Sequence, residues 1–173
     1  MLAEDPTKII KGDVDTSEAA LDKASRDASL FEMRPQVVVF PKDSADIQAL
    51  VRYVGEHKTR GSDSDPTLSI TARAAGTCMS GGSLNESIIM DTTRYMTGVL
   101  AVNASEKWAK VLPGTYYRDF DTETKKVGLI MPAYTASREL CTVGGMVANN
   151  SGGEKSIYYG KTERYIRELK VVF

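Results

Sequence analysis

The fold is decided by residues 71–91, which read TARAAGTCMSGGSLNESIIMD. An apolar strand pattern at residues 68–72 runs into a loop of small residues, and a second apolar run at residues 88–90 leads out to Asp91. The loop has too little side-chain bulk to fill a core, but its backbone N–H groups are open to close approach. Successive N–H groups of this kind form a concave nest for anions, phosphates above all. The pattern therefore favours a rigid anion cradle over a flexible surface loop.

A second small-residue segment, residues 142–153, reads TVGGMVANNSGG. Neither loop is a common phosphate motif: the first lacks the Gly-Lys-Ser/Thr ending of a P-loop, and no helical pattern follows it as a dinucleotide fingerprint requires. Two separated glycine-rich loops, each tied to apolar strands, suggest one extended ligand held from two sides. A long diphosphate-linked cofactor fits two such loops better than a mononucleotide does.

The sequence offers no nucleophile–base pair, no HExxH motif and no carboxylate pair in a glycine-rich setting. His57, the single histidine, ends a predicted helix and is expected to act as a helix-end cation. Cys78 and Cys141 are too far apart for a metal knuckle and too few for a disulfide scaffold. No metal site is therefore predicted, and the chemistry has to come from a cofactor that the protein binds and orients.

The composition indicates one soluble globular domain. Hydrophobic residues make up 42% of the 173 residues and charged residues 26%, which is typical of a chain that buries a core. Basic and acidic residues nearly cancel, 22 against 23, without the basic block of a nucleic-acid binder. No apolar run approaches the roughly 20 residues of a membrane helix. The polar N-terminus argues against a secretory signal, so the cytoplasm is the expected location.

Hydrophobic periodicity gives the expected order of elements. Residues 1–14 show no clear pattern and are expected to form a loose lead-in. Helices are predicted at residues 16–31, 44–57 and 115–127, the last with Tyr117, Phe120, Thr124 and Val127 facing inward and Gly128 as its stop. Strands are predicted at residues 36–40, 68–72, 88–90, 99–102, 108–112 and 166–173, and residues 58–66 are expected to form a solvated loop. Because the last strand ends the chain without a closing turn, we expect an incomplete domain with an open strand edge.

Three stretches carry a resemblance to a known family: AGTCMSGG at residues 75–82, SRELCTVGGMVANNSGG at residues 137–153 and YGKTERYIRELKVVF at residues 159–173. Their order and spacing resemble the FAD-binding domain of the vanillyl-alcohol-oxidase/PCMH superfamily, nearest to the FAD-linked glycolate and D-lactate dehydrogenases. The resemblance implies an α+β fold, in which a small parallel β-sheet with helices precedes a mixed or antiparallel sheet subdomain. It implies an N-terminal lead-in and helix at residues 1–34, and an FAD-binding domain at residues 35–173 that is truncated at its C-terminus.

The resemblance also assigns cofactor contacts. In the family, the loop that matches residues 75–82 wraps the FAD pyrophosphate through main-chain amides. Here these residues are Ala75, Gly76, Thr77, Cys78, Met79, Ser80, Gly81 and Gly82. Residues 132–153 would line the isoalloxazine and ribityl portions, with Pro132, Ser137, Cys141, Thr142, Gly144, Gly145 and Asn149 as contact candidates and Gly152 and Gly153 holding the nucleotide half. Members with covalent flavin carry a histidine where Thr77 stands, so non-covalent FAD is implied.

The function implied by the resemblance is FAD-dependent oxidation of a 2-hydroxy acid such as D-lactate or glycolate. Substrate-binding and acid–base residues would lie outside this chain, and an iron–sulfur electron-transfer partner is a further expectation. Two alternatives stay open. One is another reaction of the superfamily, of the aldonolactone oxidase or enolpyruvyl-sugar reductase type; the other is a non-catalytic module that binds a nucleotide or another anion.

Overall fold

The computed structural model describes residues 4–59 and 65–173 and has the predicted α+β architecture. The chain forms two compact units. The first consists of residues 1–95, as far as they are described, together with Val171–Phe173, and the second consists of Met96–Lys170. Most of the predicted loop at residues 58–66 lies outside the described residues.

The first unit contains a four-stranded sheet in the order β1-β2-β4-β3. Its strands are β1 (Asp13–Asp15), β2 (Val37–Phe40), β3 (Ile70–Arg73) and β4 (Ile88–Asp91). β2 and β3 both run parallel to β4, whereas β1 runs antiparallel to β2. All four residues of β2 are buried, as its continuous β-branched run predicts for a strand covered on both faces.

Three helices accompany this sheet: α1 (Glu4–Ile9), α2 (Glu18–Ala24) and α3 (Ser44–Thr59). The predicted apolar face of α3 is confirmed, since Leu50 and Val54 belong to the same buried cluster as strand residues of β2 and β4. Asp43 caps α3 by accepting the N–H groups of Ala45 and Asp46 at 2.8 and 3.0 Å. His57 lies in the last turn of α3, with its Nδ1 2.8 Å from the carbonyl oxygen of Tyr53.

Two expectations for the N-terminal part are wrong. Residues 4–9 and 13–15 form α1 and β1 rather than a loose lead-in, because β1 finds hydrogen-bonding partners along β2. The helix predicted to reach residue 31 ends at Ala24. Ser25 terminates it by turning its N–H and its hydroxyl back to the carbonyl oxygen of Asp22, and the guanidinium of Arg73 occupies carbonyl groups that a longer helix would use.

The second unit pairs β5 (Val99–Asn103) with β6 (Trp108–Val111) in the predicted antiparallel hairpin. Its helices are α4 (Tyr117–Lys125), α5 (Val143–Ala148) and α6 (Ser156–Tyr159), followed by a short 3-10 helix, Thr162–Tyr165. Tyr117, Phe120 and Thr124 are buried as predicted. Val127 is 43% exposed because the helix ends before it, and the prediction of an inward Val127 is wrong. Gly128 takes the left-handed conformation expected of a helix stop, with φ of +73°.

Two further expectations are corrected for the C-terminal part of the chain. Residues 166–173 form no strand: they pair with none of the described strands, and their apolar side chains Leu169, Val171 and Phe173 are exposed. The expectation of an open edge at a final strand is therefore wrong as well. The second glycine-rich segment is a short helix, α5, with flanking turns, not a loop tied to strands. No helix in the described residues is long and apolar enough to cross a membrane.

Candidate cofactor site

The first candidate segment is the crossover that joins β3 to β4. Parallel neighbouring strands require a connection of about a dozen residues or more, because the chain must return to the starting end of the sheet. Residues 74–87 make this return, leaving the carboxyl end of β3 at Arg73 and entering β4 at Ile88. Ligands of sheets with parallel strands bind outside the carboxyl ends of the strands. The predicted cradle, residues 75–82, therefore begins at a position suited to a ligand.

Most backbone N–H groups in and beside the cradle are without an acceptor in the described part of the chain. Those of Gly76 and Thr77 and of residues 79–83 find no acceptor among residues 4–59 and 65–173. Gly76 and Gly81 turn the loop through left-handed conformations, with φ of +68° and +77°. An anion nest requires backbone N–H groups that donate to no acceptor within the protein, close to residues in the left-handed conformation. The residues present therefore fit the diphosphate of a dinucleotide cofactor.

The two left-handed glycines also leave no room for a side chain. A Cβ on Gly76 would lie 2.5 Å from Nη2 of Arg73, and one on Gly81 would lie 2.9 Å from Cδ2 of Phe31. At Gly82 a Cβ would meet only Cys78 Sγ at 3.5 Å, which is ordinary contact. Gly76 is thus required by the buried Arg73 beside it, whereas at Gly81 the exposed Phe31 ring can move and the positive φ is the main constraint.

The returning half of the crossover is fastened to the start of β3. The side-chain oxygen of Asn85 accepts the Ser69 hydroxyl at 3.0 Å and the Ser87 N–H at 2.9 Å, while its amide nitrogen donates to Thr71 Oγ1 at 3.0 Å. Ser87, which is 2% exposed, accepts the N–H of Ser69 at 3.2 Å. These bonds fix residues 83–87 and leave residues 76–82 as the part that faces outward.

Residues 25–31, which follow α2, support the cradle from the N-terminal side. The N–H of Ala28 donates to the carbonyl oxygen of Gly76 at 3.0 Å, and the Ser83 hydroxyl donates to Asp27 Oδ2 at 3.0 Å. Burial raises the pKa of Asp27, but hydrogen bonds from Ser29 and Ser83 and the charge of Arg73 outweigh it and hold that pKa below its ordinary value. Sequence reasoning missed this support, because nothing local links residues 27 and 28 to a loop some fifty positions on.

The second candidate segment uses its own N–H groups internally. Thr142 caps α5, and its hydroxyl accepts the N–H of Gly145 at 3.1 Å. The N–H of Gly144 donates to the carbonyl oxygen of Pro113 at 2.8 Å, and that of Val143 to Thr115 at 2.9 Å. A Cβ on Gly144 would lie 2.6 Å from the Pro113 oxygen. Gly144 is therefore small because it packs against residue 113.

The other predicted contacts of this segment differ in exposure. Cys141 is buried in an apolar cluster with Tyr117 and Met146, and its N–H donates to the carbonyl oxygen of Ser137 at 2.8 Å. Ser137 and Pro132 are half-buried, whereas Asn149 is exposed at the end of α5. Of these side chains, Asn149 and Ser137 are thus better placed than Cys141 to reach a ligand.

The end of the segment is tied to the 3-10 helix. Asn150, with φ of +43°, donates from its amide to Glu163 Oε2 at 2.7 Å and accepts the Glu163 N–H at 3.0 Å. Thr162 is fully buried, and both its N–H and its hydroxyl donate to the carbonyl oxygen of Ser151. Gly153 has no space for a Cβ because the Tyr134 carbonyl lies against it, and a Cβ on Gly152 would meet Ser156. Sequence reasoning assigned no role to Thr162 and Glu163, although both lie in the quoted run at residues 159–173.

Comparison with known proteins agrees with this geometry. The chain belongs to the FAD binding domain family, which matches residues 35–173, and FAD is the cofactor of that family. The resemblance and the fold class expected from the sequence are thereby confirmed.

The chain is also similar to individual proteins, over part of their length. The chain is 31% identical over 161 residues to a D-2-hydroxyglutarate dehydrogenase of Pantoea ananatis, covering 93% of this chain and 15% of that protein. It is 30% identical to a D-lactate dehydrogenase of Archaeoglobus fulgidus, covering 79% of this chain and 28% of that protein. A solved alkyldihydroxyacetonephosphate synthase shares the fold, with a TM-score of 0.73 at 20% identity, over 87% of this chain and 29% of that one.

Proposed function

We propose that this chain is the FAD-binding part of a flavin-dependent oxidoreductase that oxidises a 2-hydroxy acid. The observation that carries the cofactor assignment is that the N–H groups of Gly76, Thr77 and residues 79–83 find no acceptor in the described part of the chain. The substrate class is supported by the relatives, since both 2-hydroxyglutarate and lactate are 2-hydroxy acids. The chain spans 15% and 28% of those two proteins, so the substrate belongs to this proposal.

The residues of the two segments have separate tasks in this proposal. The cradle amides bind the diphosphate, and the hydroxyl groups of Thr77 and Ser80 lie on the same loop to complete its solvation. Residues 132–153 line the flavin and ribityl portions, with Ser137 and Asn149 offering side chains while the N–H groups of Gly144 and Gly145 stay bound within the protein. In this proposal the second segment orients the cofactor by its shape and side chains, because the N–H groups of Gly144 and Gly145 already donate within the protein.

FAD supplies a two-electron oxidant, so that a 2-hydroxy acid loses the hydrogens of its C–H and O–H bonds and becomes a 2-oxo acid. The chain's part in this reaction is to hold the diphosphate and keep the cofactor in one orientation. We assign no proton acceptor within residues 1–173. We also propose a cytoplasmic location and, from the resemblance, an iron–sulfur electron-transfer partner.

The substrate class is tested with the complete protein under anaerobic conditions. We expect bound flavin to lose its yellow colour on addition of D-2-hydroxyglutarate, D-lactate or glycolate, with L-lactate as the matched stereochemical control. Bleaching by an aldonolactone or an enolpyruvyl sugar alone would favour another reaction of the superfamily. A colourless protein that does not bind added FAD would contradict the proposal and favour a non-catalytic anion-binding module.

We further propose that FAD is bound without a covalent link, because Thr77 has no nitrogen to form the bond that a histidine makes. Acid precipitation of the flavin-loaded protein should leave FAD in the supernatant, where chromatography identifies it intact. Flavin that stays with the precipitated polypeptide would contradict non-covalent binding and would direct attention to Cys78, whose Sγ lies 3.1 Å from Ser80 Oγ.

A further inference from the structure

Arg73 is a buried arginine that sequence reasoning left without a role. It is the last residue of β3 and is 9% exposed. Its guanidinium donates to three backbone carbonyl oxygens at and beyond the end of α2, at 3.5 Å to Lys23, 3.3 Å to Ala24 and 2.6 Å to Arg26. One side chain thus joins the sheet to the N-terminal segment, residues 23–31.

The charge of Arg73 has no carboxylate partner within ion-pair distance in the described part of the chain. Burial lowers its pKa, which the more distant charges of Asp91 and Asp27 partly offset. An arginine remains protonated under these conditions, because its ordinary pKa lies far above neutral pH. Burying a charge is costly unless hydrogen bonds compensate, and here three carbonyl dipoles do so. The result is a fixed positive charge that no neighbouring side chain neutralises by contact.

This charge lies directly beside the cradle. A Cβ on Gly76 would lie 2.5 Å from Nη2 and 3.0 Å from Cζ of Arg73, so the first left-handed residue of the loop passes against the guanidinium. The carbonyl oxygen of Gly76 is in turn held by the N–H of Ala28, which belongs to the segment that Arg73 anchors. The conformation of the loop and the position of the N-terminal segment therefore depend on the same side chain.

We infer that Arg73 is a positioning residue for the diphosphate cradle. Its guanidinium fastens residues 23–31 to the loop and keeps a positive charge behind the N–H groups that face the ligand. The inference rests on the proposed FAD site and extends that site to residues that precede the family match, which begins at residue 35. The N-terminal segment is accordingly part of what determines FAD affinity.

The test compares Arg73→Met and Arg73→Lys in the complete protein, with FAD dissociation constants measured by fluorescence at several salt concentrations. Arg73→Met removes charge and hydrogen bonds, and we expect FAD to bind on the order of 30-fold more weakly, as for truncation of a buried charged group. The decrease of affinity with added salt should also become shallower, because one positive charge near the diphosphate is gone. Arg73→Lys keeps the charge without the planar fork, so affinity should fall less and the salt dependence should stay.

Arg94→Met is the matched control. Arg94 also fastens an N-terminal element, through Asp13 at 2.8 Å and the Phe40 ring at 3.4 Å, but it has no contact with residues 23–31 or 76–83 in the described structure. Urea unfolding of each variant separates stability from affinity. Unchanged FAD affinity and salt dependence in Arg73→Met would overturn the inference, as would an equal loss in Arg94→Met.

Two outcomes need separate treatment. If Arg73→Met does not fold, Arg73→Lys decides, since wild-type affinity in that variant together with wild-type stability would contradict a role for the guanidinium fork. If the wild-type protein binds no FAD, the proposed function fails, and this inference fails with it. A wild-type protein that binds FAD alongside an unaffected Arg73→Met would refute the inference alone.

Discussion

Gly81→Ala separates the folding of the cradle from its use in binding. Gly81 has φ of +77°, and a left-handed conformation costs an L-residue about 1–2 kcal/mol. The added Cβ would also lie 2.9 Å from Phe31 Cδ2, but Phe31 is 62% exposed and its ring can turn away. The free energy of unfolding should therefore fall by about 1–2 kcal/mol, which is little more than the cost of the left-handed backbone conformation itself.

The effect on FAD should be larger than this loss of stability suggests. Relief of the strain at Gly81 reorients its own N–H and that of Gly82, both of which lack internal acceptors. A hydrogen bond to a charged group contributes about 1.5–3 kcal/mol, so the loss of one such contact weakens binding by about 10- to 100-fold. Fluorescence titration of the flavin-free protein with FAD measures this directly.

Gly128→Ala provides the control for the backbone penalty. Gly128 has φ of +73°, and nothing lies within 4 Å of the position of its Cβ. Its stability loss should equal that of Gly81→Ala, while its FAD affinity should be that of wild type. Leu50→Ala, in the core at 0% exposed, should lose more stability, about 2–5 kcal/mol, through cavity formation. Equal FAD affinity in Gly81→Ala and Gly128→Ala would refute the assignment of the diphosphate to this loop.

Four further substitutions test particular contacts. Asp46→Asn should lower the free energy of unfolding by about 3 kcal/mol, because the buried carboxylate accepts three backbone N–H groups and the amide NH₂ of asparagine would place a donor against one of them. Urea unfolding midpoints measure this loss. The pKa of Asp27 is depressed in the folded state, so the ionised carboxylate stabilises the fold above about pH 4, and this stabilisation is lost as the pH falls further. The difference in free energy of unfolding between wild type and Asp27→Asn should therefore be larger at pH 7 than at pH 3. Thr162→Val should cost about 1 kcal/mol by removing one hydrogen bond to Ser151, with faster hydrogen exchange there. Gly144→Ala should lower the thermal midpoint, and a loss of FAD affinity without loss of stability would contradict its packing role.

Local pattern was sufficient for the elements whose burial is set by their own sequence. β2 and α3 were predicted because a β-branched run and an i, i+3, i+4, i+7 spacing each describe one buried surface. The hairpin of β5 and β6 and the stop at Gly128 were predicted for the same reason. The loop between β3 and β4 was predicted from its small residues and from the two apolar runs that enclose it.

The errors have a common cause, which is contact between residues far apart in the sequence. The end of α2 at Ala24 depends on Arg73, and the pairing of β1 depends on β2. The sequence of residues 4–31 alone does not indicate that Arg73 contacts the end of α2 or that β1 pairs with β2. Residues 166–173 show the reverse case, since a strand-like pattern forms no strand where it pairs with none of the described strands.

The two glycine-rich segments look alike in sequence but use their glycines differently. In the first, left-handed glycines turn the loop, and the N–H groups of Gly76, Thr77 and residues 79–83 find no acceptor among the described residues, a property suited to an anion. In the second, Gly144 is small because residue 113 lies against it, and its N–H is already donated. Glycine content alone therefore does not identify a phosphate site; free N–H groups do. By that criterion we expect the diphosphate at Gly76, Thr77 and residues 79–83 rather than at the second segment.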